Sequence, residues 1–194
     1  MTRTIGAGEP AGPHLGIEVN TDGCAGDDLA YCGAPLITVG GDVAWDDVVA
    51  LAVGRDWAGT EALTGVPGTV ADVTARNATA YGTRVGDTVA RVRTWDRVGD
   101  AQRTFAAADC DFTRDGSRFA ARLADGTARY AILDVALLLR QGTLSEPLRD
   151  LALAGALGVP RGERVPLTAV RSAIQRAGAG VKGAPTEPGS RQRA

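Results

Sequence analysis

The run Tyr130-Ala-Ile-Leu-Asp-Val-Ala-Leu-Leu-Leu-Arg140 is the most apolar stretch of the chain and constrains its fold more than any other feature. It is too rich in β-formers at its start to be only a helix, so it reads as a central strand. A central strand needs partners. Residues 87–95 alternate apolar and polar in the manner of a half-buried strand, and Arg103-Thr104-Phe105 supplies a neighbour across the Gly99-Asp100 turn. Ile17-Glu18-Val19 runs into Asn20-Thr21-Asp22-Gly23, and Leu36-Ile37-Thr38-Val39 runs into the Gly40-Gly41 turn, giving a second hairpin. Helical spacing covers residues 43–53, with Asp42 as cap and Trp45, Val48, Val49, Ala52 and Val53 on one stripe. Two further helices are expected at 145–157, ending at Gly158, and at 167–177 after Pro166. The expected fold is α+β, a mixed or antiparallel sheet covered by a few helices.

The length of 194 residues suits one domain, and with 44% hydrophobic and 23% charged residues a real core can form. Only 5% of residues are aromatic, so that core is built mainly from Val, Leu, Ile and Ala. A net charge of -2, mixed along the chain, leaves no basic stripe for a phosphate backbone, which argues against nucleic acid as a partner. No apolar run is long enough for a signal peptide or membrane span, so a cytoplasmic protein acting on a small molecule is expected. Cys24, Cys32 and Cys110 cannot all pair with one another, and with His14 as the one histidine no metal site is expected. The Gly- and Pro-rich residues 1–16 read as a flexible leader, 17–177 as a single α+β domain and 178–194 as a disordered tail.

Between Gly59 and Gly82 the periodicity gives way to Gly, Pro, Thr and Asn. Such stretches place backbone against a ligand or turn it tightly. Thr64-Gly65-Val66-Pro67-Gly68-Thr69 is a punctuated loop whose N–H groups could cradle an anion or a flat ring, or could simply connect two elements. Asn77, Tyr81 and Gly82 add an amide, a phenol and another glycine close by.

Residues 59–70, with Asn77 and Ala80-Tyr81-Gly82, resemble the flavin-contacting signature of the UDP-N-acetylenolpyruvoylglucosamine reductase family, also called UDP-N-acetylmuramate dehydrogenases. The likeness continues through 89–97, Cys110-Asp111-Phe112, Ser117-Arg118-Phe119, the strand at 130–140 and 157–171. It implies an FAD-binding fold. It also implies NADPH as hydride source, reduction of an enolpyruvyl group in peptidoglycan precursor synthesis, and flavin contacts from Thr64 to Thr69, Asn77, Tyr81 and Gly82. In such chemistry the cofactor carries the hydride and the protein supplies orientation and electrostatics.

Set against the family pattern, Ala71 and Thr79 replace glycines, Arg76 replaces a glutamine, and the Tyr-Arg pair aligns with Arg114-Asp115. The family's pyrophosphate-binding loop is expected before the first residue here, and its proton donor after the last. The expectation is a family-derived chain truncated at both ends and impaired in flavin binding. Two other readings stand beside it. One is a flavin-independent cyclase or isomerase of a specialised biosynthetic pathway, with Tyr81 or Asp115 as acid or base and Arg76 or Arg114 as oxyanion partner. The other is a non-catalytic binding protein whose uncovered apolar faces favour a homo-oligomer.

Overall fold

A computed structural model describes residues 3–4, 16–20 and 34–178. In chain order its elements are β1 (Arg3–Thr4), β2 (Ile17–Asn20), β3 (Leu36–Gly40), α1 (Trp45–Gly54), β4 (Trp57–Ala58) and α2 (Val70–Ala75). There follow β5 (Thr79–Ala80), β6 (Thr83–Arg84), β7 (Val89–Asp96), β8 (Ala101–Ala106), β9 (Tyr130–Leu138), β10 (Arg140–Gln141), α3 (Leu151–Leu157) and α4 (Leu167–Arg176). The main sheet is six-stranded in the order β1-β2-β3-β9-β7-β8. Every pairing in it is antiparallel. The apolar run at 130–138 is thus an inner strand, between β3 and β7. Arg3–Thr4, within the segment read as a leader, pairs with β2. His14, Cys24, Cys32 and the tail from 179 lie outside the described residues.

Register explains the two faces of the sheet. Val39, Val135, Val92 and Phe105 stand opposite one another across four strands and are all buried. They face α1 and α2. Because side chains alternate with period two, the neighbouring row Asp134, Arg93, Thr104 falls on the other face, where an Arg93–Asp134 ion pair lies across the strands. At the far end of β7 and β8 the Asp96 carboxylate accepts from Arg129 and from the Val98 N–H at 3.1 Å. The Arg129 hydrogen bond above all holds its carboxyl below the ordinary range.

The stripe Trp45, Val48, Val49, Ala52 and Val53 is buried as its spacing demands. The cap is a correction: Ala44, not Asp42, holds the N-cap position of α1, and no side chain caps it. Trp45 Nε1 donates instead to the Leu63 carbonyl at 3.2 Å, which ties α1 to the loop that follows.

The helix expected over 145–157 is also corrected, since only Leu151–Leu157 is helical. Ser145 and Leu148 form a loop pairing instead, Ser145 donating to Val165 O and Leu148 to Glu163 O. Pro147 in that stretch favours the extended backbone. Asp150 then caps α3 by accepting from the Leu153 N–H at 2.8 Å. Leu148, Leu153, Ala154, Val165, Val170, Ala173 and Ile174 make a second, smaller core beside the main one. No helix among the described residues is long and apolar enough to cross a membrane.

Candidate functional site

The Thr64–Thr69 loop is held from below by its own hydrogen bonds. Thr64 N–H and Oγ1 both donate to the Glu61 carbonyl, and Val66 N–H donates to Leu63 O. Gly65 N–H donates to Asp46 Oδ1 at 2.9 Å, and Arg171 of α4 closes on the same carboxylate at 2.9 Å. Burial pushes the Asp46 carboxyl up, but the Gly65 N–H and Arg171 outweigh it, so the group sits below its ordinary value. Thr69 N–H donates to Asp72 Oδ2 at 2.9 Å while Thr69 Oγ1 accepts from Asp72 N–H, a capping box that starts α2. Backbone bonds from Trp45 to Gly68, from Val70 to Val43 and from Ala71 to Gly41 zip the loop onto the β3–α1 turn. The Ala71 methyl faces Gly41, where any added Cβ would lie 2.4 Å from the Ile132 carbonyl.

At the other end of α2 the sequence-predicted residues gather. Arg76 folds back and donates to the Pro67 carbonyl. Asn77 is buried at φ 45, a left-handed position that asparagine tolerates better than most residues. Its amide is engaged at both ends, Nδ2 donating to Thr113 O at 2.8 Å and Oδ1 accepting from Gly86 N–H at 2.9 Å. Ser117 donates to the Ala75 carbonyl at 2.8 Å, so the Thr113–Gly116 turn sits against the end of α2. Arg114 and Asp115 occupy the exposed tip of that turn. The neighbouring Arg118 pairs with Asp111 at 2.6 Å and lies 4.8 Å from the Phe105 ring.

Tyr81 and Gly82 sit apart from that group. They are the central residues of the β5–β6 hairpin, at φ 48 and φ 77. Positive φ at both central positions is the requirement of a type I′ turn, and a tyrosine in the first of them is strained. Tyr81 packs against both hydrophobic cores, while Arg149 donates to the Gly82 carbonyl at 3.3 Å. No hydrogen bond or ion pair joins Tyr81 to Arg114 or Asp115.

Glu61 was passed over in the sequence. It is buried, with Oε2 accepting from Gly59 N–H at 2.6 Å and Oε1 from Glu146 N–H at 2.9 Å. A carboxylate in the apolar run Glu61-Ala62-Leu63 was the available signal, since such a group is buried only with partners. Cys110 is buried too, and burial pushes its thiol up to about 11, where it is no nucleophile. Among the described residues no group of His, Cys, Asp and Glu could hold a metal.

Tested against a flavin, the block fits poorly. The N–H groups of Thr64, Gly65, Val66 and Thr69, which would cradle the ring, are spent within the protein. Arg76 is tied to the loop it would have to clear, and an exposed carboxylate, Asp115, stands where the family pattern has a cation.

No family model matches the chain. Curated proteins do. The UDP-N-acetylenolpyruvoylglucosamine reductase of Cutibacterium acnes is 44% identical over 167 residues, 85% of this chain and 43% of its own length. That of Thermobifida fusca is 38% identical over 71% of this chain and 37% of its own. A solved structure, the UDP-N-acetylenolpyruvylglucosamine reductase of Thermus caldophilus, is 17% identical with a TM-score of 0.49, covering 72% of this chain and 42% of that one. The chain spans about two fifths of the length of the curated relatives it matches. Over that shared stretch it belongs to the UDP-N-acetylenolpyruvoylglucosamine reductase family.

Proposed function

We propose that this chain is a derivative of the reductase family that keeps the scaffold of one wall of the flavin site and does not retain FAD by itself. The observation that carries this reading is the internal use of the Thr64, Gly65, Val66 and Thr69 N–H groups, together with the return of Arg76 to Pro67. A cofactor binding there would have to break those bonds before making its own. NADPH oxidation has no route without the flavin. The replacement of the pattern's cation by Asp115 supports the same conclusion, since a developing negative charge needs a cation or donor beside it.

The cyclase or isomerase reading needs an acid or base and an oxyanion partner around one substrate. It gains nothing from the geometry, because Tyr81 lies between the two cores and Arg114 and Asp115 lie on an exposed turn.

The test is a visible absorbance spectrum of the purified chain before and after incubation with excess FAD and desalting. A colourless protein is expected, and it should oxidise no NADPH when the enolpyruvyl nucleotide sugar is added. Retained flavin absorbance would overturn the proposal and make the Thr64–Gly82 block a working cofactor wall.

A further inference from the structure

Beside the Tyr81–Gly82 turn lies a cleft of about 210 Å³, walled by Gly59, Thr83, Thr88, Arg140, Glu146 and Arg149 among others. Its wall carries two arginines, Arg140 and Arg149, and two carboxylates, Asp87 and Glu146. Glu146 is shared by Arg140 at 2.8 Å and Arg164 at 3.6 Å, and Asp87 is shared by Arg84 at 3.2 Å and Arg149 at 3.4 Å. The third carboxylate nearby, Glu61, is buried with both oxygens taken by backbone N–H groups.

Hydrogen-bond donors are left over on both arginines. Arg149 uses only Nη1, on Gly82 O at 3.3 Å and Asp87 at 3.4 Å, so its Nε and Nη2 have no acceptor among the described residues. Arg140 uses Nε and Nη2, on Glu146 and on the Leu144 and Ser145 carbonyls, and leaves Nη1 without one. The Thr83 hydroxyl is likewise unspent, whereas that of Thr88 goes to Val85 O at 3.0 Å. The free Nε–Nη2 edge of Arg149 and the free Nη1 of Arg140 can donate to the oxygens of a phosphate.

We infer that this cleft binds a small phosphate-bearing anion between Arg140 and Arg149, with the Thr83 hydroxyl as a further donor. The inference is independent of the flavin reading, because none of these side chains belongs to the Thr64–Thr69 loop.

Inorganic pyrophosphate is the probe, titrated calorimetrically into the full chain at constant ionic strength. Saturable binding is expected. The R140Q/R149Q double variant should weaken it about tenfold or more, as expected for charge-assisted bonds, and R91Q, whose side chain does not line the cleft, should leave it unchanged. No saturable binding to the unaltered chain, equal weakening by R91Q or no weakening by the double variant would each overturn the inference. Since Arg140 also holds two loop carbonyls, the unaltered protein gives a second readout that needs no variant. Pyrophosphate should shift the backbone amide resonances of Gly59, Thr83 and Thr88, and shifts confined to other regions would overturn the inference.

Discussion

Glu61 shows how a single side chain can organise the neighbourhood of a site without taking part in chemistry. Its carboxylate reaches two backbone donors, Gly59 at the end of β4 and Glu146 in the segment after β10, and so joins parts of the chain 85 residues apart. Removing it would leave both part-buried N–H groups without their acceptor, at a cost of up to about 1–3 kcal/mol for each. We expect Glu61→Ala to lower unfolding stability in urea by about 2 kcal/mol or more. Glu61→Gln should cost less, because its amide oxygen still accepts one of the two bonds. Equal stability of Glu61→Ala and the parent would show that the pair of bonds contributes nothing net. The same residue also tests the boundary between scaffold and recess. Glu61→Gln removes a carboxylate from below the cleft without touching Arg140 or Arg149, so pyrophosphate binding should be no weaker in that variant.

Among the elements, two acidic residues ahead of helices make a controlled comparison. Asp150 accepts from Leu153 N–H and starts α3, whereas Asp42 precedes α1 without capping it. Asp150→Ala should therefore cost about 0.5–2 kcal/mol, and Asp42→Ala should stay within about 0.5 kcal/mol of the parent by denaturant melts. A loss at Asp42 as large as that at Asp150 would contradict the observed cap. The sequence pointed to Asp42, an acid shortly before an apolar stripe, whereas Asp150 fell inside the helix expected over 145–157. What decided the matter was tertiary: Val43 and Ala44 are pinned to Val70 and Thr69, so the chain enters α1 two residues later than the pattern suggests. Long elements with strong periodicity, β7, β9, α1 and α4, were legible because burial acts on every second or every third to fourth residue. The two-residue strands β4 and β10 were not. They pair because a distant contact, Trp57 Nε1 donating to Gln141 Oε1 at 3.0 Å, brings them together. The candidate block divides in the same way. Its glycine and proline punctuation could be read, as could its likeness to a family, but the spending of its donors on Asp46, Asp72 and Glu61 could not, because Asp46 comes from another helix and is itself held by Arg171, 125 residues away.

Across the whole molecule, two cores of unequal size meet at Tyr81. The larger one lies between the sheet and α1–α2 and takes in Leu167 at the start of α4. The smaller is formed by α3, the rest of α4 and the loop between them. Besides Tyr81, joints between the two include Glu61 to Glu146, Asp46 to Arg171, and Arg149 to Gly82 and Asp87. Half-exposed ion pairs such as Asp46–Arg171 contribute only about 0–1 kcal/mol. The burial of α3 is thin as well, with Leu151 71% exposed and only Leu153 and Ala154 of that helix buried. Local opening free energies follow the apolar surface that an element loses on opening, so the second core should open without the first. In native-state hydrogen exchange we expect the amides of α3 to exchange earliest, those of α4 next because Leu167 anchors it to the main core, and those of β7 and β9 only with global unfolding. Tyr81→Ala removes the side chain common to both cores and should widen the gap between α3 and β9. Uniform protection across α3, α4 and β9 would mean that the two cores unfold as one cooperative unit. In that case the strained Tyr81 turn would hold the molecule together, and relieving it should destabilise the sheet as much as the helices.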